Sequence, residues 1–337
     1  MSANISIFVP HMGCPHKCSF CDQNAITGQK DIPRAADVTA TVEKGLSYIN
    51  DPETTEIAFF GGSFTAIDKS YMTELLSAAH PFVKEKRVKG IRLSTRPDAI
   101  DKEILDFLKG YGVCAVELGA QSMDDQVLLA NLRGHTAKQV ETAAELIKQS
   151  GLELGLQMMT GLYKSDLQSD LLTAQKIADL EPETVRIYPA ITLEHTLLSR
   201  LYKSGEYSPP SLDETVDLCA QLLEFFEKEG IRVIKLGLHS SKDVESSYVA
   251  GPYHPAFREL CEGRIYLKAA KDAIKNTGEQ KGRFTLFVNP AETSKMIGQS
   301  KRNITELERV GCICKIKPRD GLEKYQVAAQ KEQSDCF

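Results

Sequence analysis

Two hydrophobic periodicities alternate along most of the chain. Short apolar, β-branched runs occupy residues 5–10, 56–61, 90–95, 113–119, 152–159, 184–189 and 231–238. Runs of this length between turn residues predict buried strands. Between them, apolar positions recur at helical spacing over about 37–50, 69–86, 101–109, 123–132, 137–149, 167–180 and 213–229. Two helix starts have capping-box form: Thr136 stands three before Gln139, and Ser211 three before Glu214. Strands alternating with helices predict a parallel sheet with right-handed crossovers. In such sheets the chemistry gathers at the carboxyl ends of the strands. Periodicity alone does not separate a partial barrel from a doubly wound sheet.

The pattern changes after about residue 245. Residues 256–276 read as one long helix, followed by a strand at 284–289, a helix over about 291–309 and a short strand at 312–317. A last strand is expected around 325–329. The expected organisation is an α/β body over 1–245, a linking helical segment over 246–282 and a small α/β unit over 283–337. No apolar run approaches the roughly 18 residues of a membrane helix. The apolar start at 5–10 is too short for a secretory signal, so nine cysteines point to a reducing, cytoplasmic compartment. The net charge of −5 conceals an asymmetry, +4 over residues 280–337 against −9 elsewhere. A basic tail of this size fits an anionic partner or an ordinary solvated face.

The candidate chemistry lies just after the first strand. Cys14, Cys18 and Cys21 form a C-x₃-C-x₂-C loop with Phe20 before the last cysteine. Three thiolates on one loop hold three irons of a [4Fe–4S] cube, and no nearby fourth cysteine completes it. An iron without a protein ligand is free to bind something else. A zinc site would need a second ligand pair, and no C-x₂-C partner occurs downstream. This loop resembles the signature of the radical S-adenosylmethionine (SAM) superfamily. The resemblance implies that the open iron chelates SAM and that an electron from the cluster cleaves it to a 5′-deoxyadenosyl radical. It further implies a low-potential electron donor such as a ferredoxin or flavodoxin, and places Phe20 near the SAM adenine.

Further motifs stand at successive strand ends: Gly61-Gly62-Ser63, Ser94-Thr95-Arg96-Pro97-Asp98, Val116-Glu117-Leu118-Gly119-Ala120-Gln121, Leu132-Arg133-Gly134-His135 and Arg186-Ile187-Tyr188-Pro189. Over about residues 5–240 this succession resembles the radical-SAM half of the catalytic subunit of Elongator, a tRNA wobble-uridine modifying enzyme. The fold it implies is a (β/α)₆ partial TIM barrel with a small C-terminal α/β unit. Gly61, Gly62 and Ser63 then face the SAM amino group, with Ser63 where glutamate is commoner. Gln121 and Arg133 become SAM contacts, the arginine as a bidentate partner of the carboxylate, and Glu117 a contact to ribose or substrate. A valine at Gly62 is expected to block SAM while the cluster still assembles. His11 and His16 flank the cluster loop and stay outside the site.

The resemblance has gaps. The Elongator subunit carries an acetyltransferase domain, which is not expected here, and a longer spacing between its first two cysteines. The expected substrate is RNA, most plausibly tRNA. A small metabolite, as in the porphyrinogen oxidases that share the Gln and Arg positions, is the alternative; a non-catalytic iron–sulfur protein is another. Residues 296–304, containing Gly298-Gln299-Ser300-Lys301, are similar to the GXXG loop of nucleic-acid-binding KH domains with the second glycine replaced. Cys312 and Cys314 share a strand face and could meet a metal with Cys336, or be partly buried thiols.

Overall fold

The computed structural model describes residues 4–9, 12–14, 17–22, 32–49 and 51–332. His11, His16 and Cys336 lie outside the described residues. The chain divides into two compact units, residues 1–211 with 229–253, and residues 212–228 with 254–337.

The first unit runs β1 (Asn4–Phe8), α1 (Ala35–Leu46), β2 (Glu56–Phe60), α2 (Lys69–Lys84), β3 (Gly90–Thr95), α3 (Lys102–Gly110), β4 (Val113–Gln121), α4 (Asp125–Ala130), α5 (Ala137–Gln149), β5 (Glu153–Thr160), α6 (Leu167–Asp179), β6 (Thr184–Pro189), β7 (Thr192–Leu193) and α7 (Leu197–Ser204). After α8 (Leu212–Lys228), which belongs to the second unit, it closes with β8 (Arg232–Leu236), α9 (Lys242–Ser247) and β9 (Tyr248–Ala250). Seven strands form one sheet in the order β1-β2-β3-β4-β5-β6-β8, every pairing parallel. Each crossover therefore steps one strand onward in the same sense, and the sheet curls into a half-barrel, the partial TIM barrel expected. All seven expected strands are present to within two residues at most ends. The capping box at Thr136 is formed: its hydroxyl accepts from the Gln139 N–H, and Gln139 Oε1 accepts from the Thr136 N–H at 2.9 Å. Helix α7 was not foreseen, although Thr196 caps its start and Gly205 ends it at φ 81°.

The second unit departs from the expected plan. It consists of α8, α10 (Phe257–Lys275), β10 (Gly282–Val288), α11 (Thr293–Ile297), α12 (Arg302–Arg309), β11 (Cys312–Pro318) and β12 (Ala328–Lys331). The segment expected to be a link, 246–282, supplies its main helix. Tyr266, Leu267, Ala270 and Ile274 of α10 share one core with Phe284, Leu286 and Val288 of β10. An apolar stripe of that width cannot serve as a solvated linker. The single helix expected over 291–309 is broken at Gly298, Ser300 and Lys301, all at positive φ. Asn303 closes the break, its side-chain amide donating to the Gly263 and Met296 carbonyls at 2.7 and 3.0 Å. The last strand sits at Ala328–Lys331 rather than 325–329. Its sheet has the order β11-β10-β12, with β10 parallel to β11 and antiparallel to β12. Cys312 is buried and Cys314 packs against the same core, both as free thiols.

Candidate active site

The half-barrel is filled in two layers. Residues two apart on a strand share a face, so Arg92, Ser94 and Arg96 of the β3 end share the interior with Glu117, Gly119 and Gln121 of β4. The deeper layer is ionic. Arg186 grips Glu117 with two hydrogen bonds, Nε to Oε2 at 2.6 Å and Nη2 to Oε1 at 3.0 Å. Gln157 donates to Oε2 at 3.0 Å, and Arg92 Nη1 stands 3.4 Å from Oε1. Arg92 also pairs with Glu56 and Glu153, and Lys89 with Glu56. These buried charges are mutually compensated, the condition on which such groups are tolerated. Burial opposes the charge on Arg92, but its carboxylate partners outweigh this and raise its pKa.

Above this layer lies a cavity of about 400 Å³. Its wall includes Cys14, Cys18, Cys21, Phe20, Gly61 and Gly62 from the loops after β1 and β2. Gln121, Arg133, Arg96 and Tyr188 line it as well. Burial, reinforced by the neighbouring Cys18, raises Cys14 and pushes the Cys21 thiol up to about 12. Cluster assembly therefore expels protons from these thiols. Among the described residues no three His, Cys, Asp or Glu side chains gather on a single ion. A cube takes one thiolate per iron, so its ligands stand farther apart than those of one ion.

The cysteine loop and the double-glycine loop are keyed together. The Ser63 N–H donates to the Met12 carbonyl at 2.8 Å. Gly13, at φ 72°, passes so close that a Cβ would lie 2.2 Å from the Ser63 carbonyl. Gly62, at φ 49°, would place a Cβ 2.1 Å from the Met12 carbonyl. The two glycines are needed for this backbone approach. A side chain at Gly62 thus displaces the cysteine loop itself, contrary to the expectation that the cluster would assemble normally.

Ser63 is also corrected. It is fully buried and does not line the cavity. Its hydroxyl accepts from the Arg96 N–H at 3.2 Å and meets Thr95 Oγ1 at 2.9 Å. Thr95 Oγ1 meets Thr65 Oγ1 at 2.6 Å, which donates to the Ala99 carbonyl at 2.6 Å. One end of this chain can only donate and the other only accept, so all three hydroxyls are oriented in one direction. Ser63 fastens the β2 loop to the β3 end. Glu117 is the second correction: it is 1% exposed, its oxygens are taken by Arg186, Arg92 and Gln157, and it does not reach the cavity.

Arg133 does line the cavity, but its fork is engaged. Nη1 donates to Cys18 Sγ at 3.0 Å and Nη2 to the Gly119 carbonyl at 2.6 Å, while the guanidinium carbon stands 5.9 Å from the Phe20 ring centre. Two of its five N–H donors are thus spent, and Nε has no partner among the described residues. Gly119 makes room for both side chains, since a Cβ there would stand 3.0 Å from Gln121 Nε2 and 3.4 Å from Arg133 Nη2. Gln121 sits at φ 66°, at a register shift in β4. His135, held low at about 4 by burial and by Arg133, is neutral and donates Nε2–H to the Ala120 carbonyl at 3.2 Å. It braces this irregular strand end, its one N–H committed to the Ala120 carbonyl.

Three buried polar atoms around the cavity have no hydrogen-bond partner among the described residues: Arg96 Nη1, Gln121 Oε1 and Arg133 Nε. Each such atom costs about 1–3 kcal/mol if left unmet. SAM has what they lack, a carboxylate and hydroxyls for the two arginines and an ammonium for the glutamine oxygen. The residues present fit the cofactor. Arg96, held by two bonds to Asp98, was not singled out from the sequence. Its place two residues beyond Ser94, on the cavity-facing parity of β3, was the available signal.

A curled parallel half-barrel with three cysteines, a double-glycine loop and unmet polar atoms around one cavity defines an enzyme that holds a cluster and a small polar cofactor together. Residues 8–177 match the profile described as the Radical SAM superfamily, and residues 182–267 the Radical_SAM C-terminal domain. The chain belongs to the radical SAM superfamily, whose members use a [4Fe–4S] cluster and SAM, and it is an enzyme. It is 28% identical over 258 residues to the tRNA uridine(34) acetyltransferase of Methanocaldococcus jannaschii, covering 64% of this chain and 47% of that protein. It is 28% identical over 234 residues to the human Elongator complex protein 3, covering 63% and 42%. The chain thus spans about half the length of the curated relatives it matches. The solved structure of Methanocaldococcus infernus Elp3 lacking its N-terminus shares the fold, with a TM-score of 0.61 at 20% identity, covering 82% of this chain and 63% of that one. Among the described residues no helix is long and apolar enough to cross a membrane.

Proposed function

We propose that this enzyme cleaves SAM reductively and modifies RNA, a tRNA in particular, in the cytoplasm, taking its electron from a low-potential ferredoxin or flavodoxin. The observation that carries the SAM half is the meeting in one cavity of Cys14, Cys18 and Cys21 with the glycine pair and the unpartnered atoms of Arg96, Gln121 and Arg133. When bound, the cluster and SAM together supply a primary carbon radical able to take a hydrogen atom or add to a π-bond. The protein's part is positional. Cys14, Cys18 and Cys21 ligate the irons, and Gly61 and Gly62 admit the cofactor against the backbone. Gln121, Arg133 and Arg96 orient its amino-acid end, and Phe20 offers an apolar wall. The RNA half is supported by the names of the relatives and by the basic tail. Acetyl transfer is not part of the proposal.

Anaerobic reconstitution should give about four irons and four sulfides per chain. With dithionite the loaded protein should release 5′-deoxyadenosine from SAM, and the Cys14→Ala/Cys18→Ala/Cys21→Ala variant should do neither. Mass spectrometry of tRNA nucleosides from a deletion strain should show one modified uridine missing. Unchanged tRNA, with SAM cleavage accelerated by a metabolite extract, would move the substrate to a small molecule.

A further inference from the structure

Among the described residues, one face of the C-terminal sheet packs into the core of its unit. Phe284, Leu286 and Val288 of β10, with Cys314 and Ile316 of β11 and Ala329 of β12, point into the core beneath the helices. By alternation the opposite face carries Arg283, Thr285 and Phe287 of β10, Ile313, Lys315 and Lys317 of β11, and Gln330 of β12. The register sets Phe287 beside Lys317, Thr285 between Lys315 and Gln330, and Arg283 beside Ile313. Arg319, just past β11, lies over the Phe287 ring, its guanidinium carbon 3.5 Å from the ring centre. Ile313 is 53% exposed and the lysines are exposed.

This face is strongly charged for its size. Arg283, Lys317 and Arg319 make no ion pair with any described residue, and Lys315 is held only by Glu332 at 3.1 Å. Four cations thus face one carboxylate, in a chain whose net charge is −5. The glycine loop singled out in the sequence compares poorly. Lys295 is bound to Glu262 and Glu292, and Arg302 to Asp213, leaving Lys301. Unpaired cations interleaved with an aromatic ring on an open sheet are what single-stranded nucleic acid requires, phosphates for the cations and a base for the ring.

We infer that the open face of the β11-β10-β12 sheet, and not the Gly298–Lys301 loop, is an RNA-docking surface. Arg283, Lys315, Lys317 and Arg319 contact phosphates, and Phe287 stacks an unpaired base once Arg319 swings to the backbone. This rests on the RNA substrate proposed above and supplies a tether outside the barrel.

The test uses the full chain with its cluster and total tRNA, by filter binding at several salt concentrations. The wild type should lose affinity linearly in log salt. The Arg283→Gln/Lys317→Gln/Arg319→Gln variant removes three phosphate contacts, so the slope should fall by roughly 2 to 3. Its affinity at low salt should drop at least about tenfold, with iron content and uncoupled SAM cleavage unchanged. Phe287→Leu should weaken binding by about tenfold with the slope retained, because stacking releases no counterions. Lys301→Gln should change neither. If the triple variant keeps the wild-type slope, or Lys301→Gln loses what it should keep, the face is not the docking surface although the enzyme still binds RNA. If the wild type itself shows no salt-dependent RNA binding, the RNA reading falls and this inference with it. Competition by poly-glutamate as effective as by poly-uridylate would assign the face to acidic polymers in general and overturn the inference.

Discussion

Replacing Glu117 by glutamine isolates the ionic layer beneath the cavity. The side chain keeps its shape and one acceptor oxygen. What it loses is the charge that answers Arg186, which is 12% exposed at its side chain, and half of a two-bond grip at 2.6 and 3.0 Å. The new amide group faces a guanidinium, donor against donor. Arg92 suffers less, since Glu56 and Glu153 still hold it. Breaking one partner out of a buried pair costs about 3–5 kcal/mol. Against a total stability of roughly 5–15 kcal/mol, that loss lowers the melting temperature by roughly 10 °C. Urea and thermal unfolding of the reconstituted protein under anaerobic conditions measure it. The double variant Glu117→Gln/Arg186→Met removes the orphaned charge as well and should recover about half of the loss. SAM affinity of Glu117→Gln, measured on folded protein, should change by less than about threefold, under 1 kcal/mol. A variant that unfolds like the wild type but binds SAM more than tenfold weaker would refute the reasoning and return Glu117 to the ligand.

Gly62→Ala should lower iron per chain as well as SAM binding, because the new Cβ meets the Met12 carbonyl at 2.1 Å; full iron loading would show that the two loops are not keyed together. Arg133→Ala should weaken SAM binding by roughly 2 kcal/mol, about thirtyfold, with iron intact; unchanged affinity would leave Arg133 its bonds to Cys18 and the Gly119 carbonyl. Asp170, buried at the start of α6 and accepting from the Gly161 N–H at 2.9 Å, is raised by burial from 3.8 to about 7. A raised folded pKa favours the protonated form, so its stabilisation is full below pH about 4 and is lost as pH rises through about 7, up to a few kcal/mol. Asp170→Asn should flatten that part of the stability–pH curve and leave the variant the more stable above pH 7; an unchanged slope in melts from pH 5 to 8 would count against it.

The strands and the helices between them were legible because each is written locally, as a period. The second unit was misread because α8 and α10 have helical patterns that do not state which core they fill. Tyr266 and Phe284 had to be seen in one cluster. Glycines are a similar case. Gly13 and Gly119 are ordinary turn or strand glycines in sequence, and Gly62 stood out only through the double-glycine motif; the need for all three comes from which backbone or side chain passes within about 3 Å. The resemblance put Glu117 and Gln121 in one site. It could not say that the stretch of β4 between them separates an ionic floor from a cavity wall.

That depth was nevertheless encoded in a pattern that no single motif contains. Glu56, Arg92, Glu117, Glu153 and Arg186 are charged residues on five consecutive parallel strands, Glu56 and Glu153 at the start of theirs and the others within. A lone charge in a buried strand is expensive, whereas a set of both signs on neighbouring strands compensates itself, here through Arg92 between three carboxylates and Arg186 on Glu117. Such a set predicts a shared layer, and a carboxylate already matched within it is a poor candidate for a ligand. The same reasoning favours Gln121 and Arg96: they stand above the layer, where Gln121 Oε1 and Arg96 Nη1 have no counterpart among the described residues. Ser63 follows the rule from the other side. Its hydroxyl is committed in both directions to Arg96 and Thr95, so the strand end that carries Arg96 and the loop that carries Gly62 move as one piece. Holding SAM at one end and the cysteines at the other is then a single mechanical property of the β1, β2 and β3 ends, and substitutions at Thr95 or Thr65 should disturb both together.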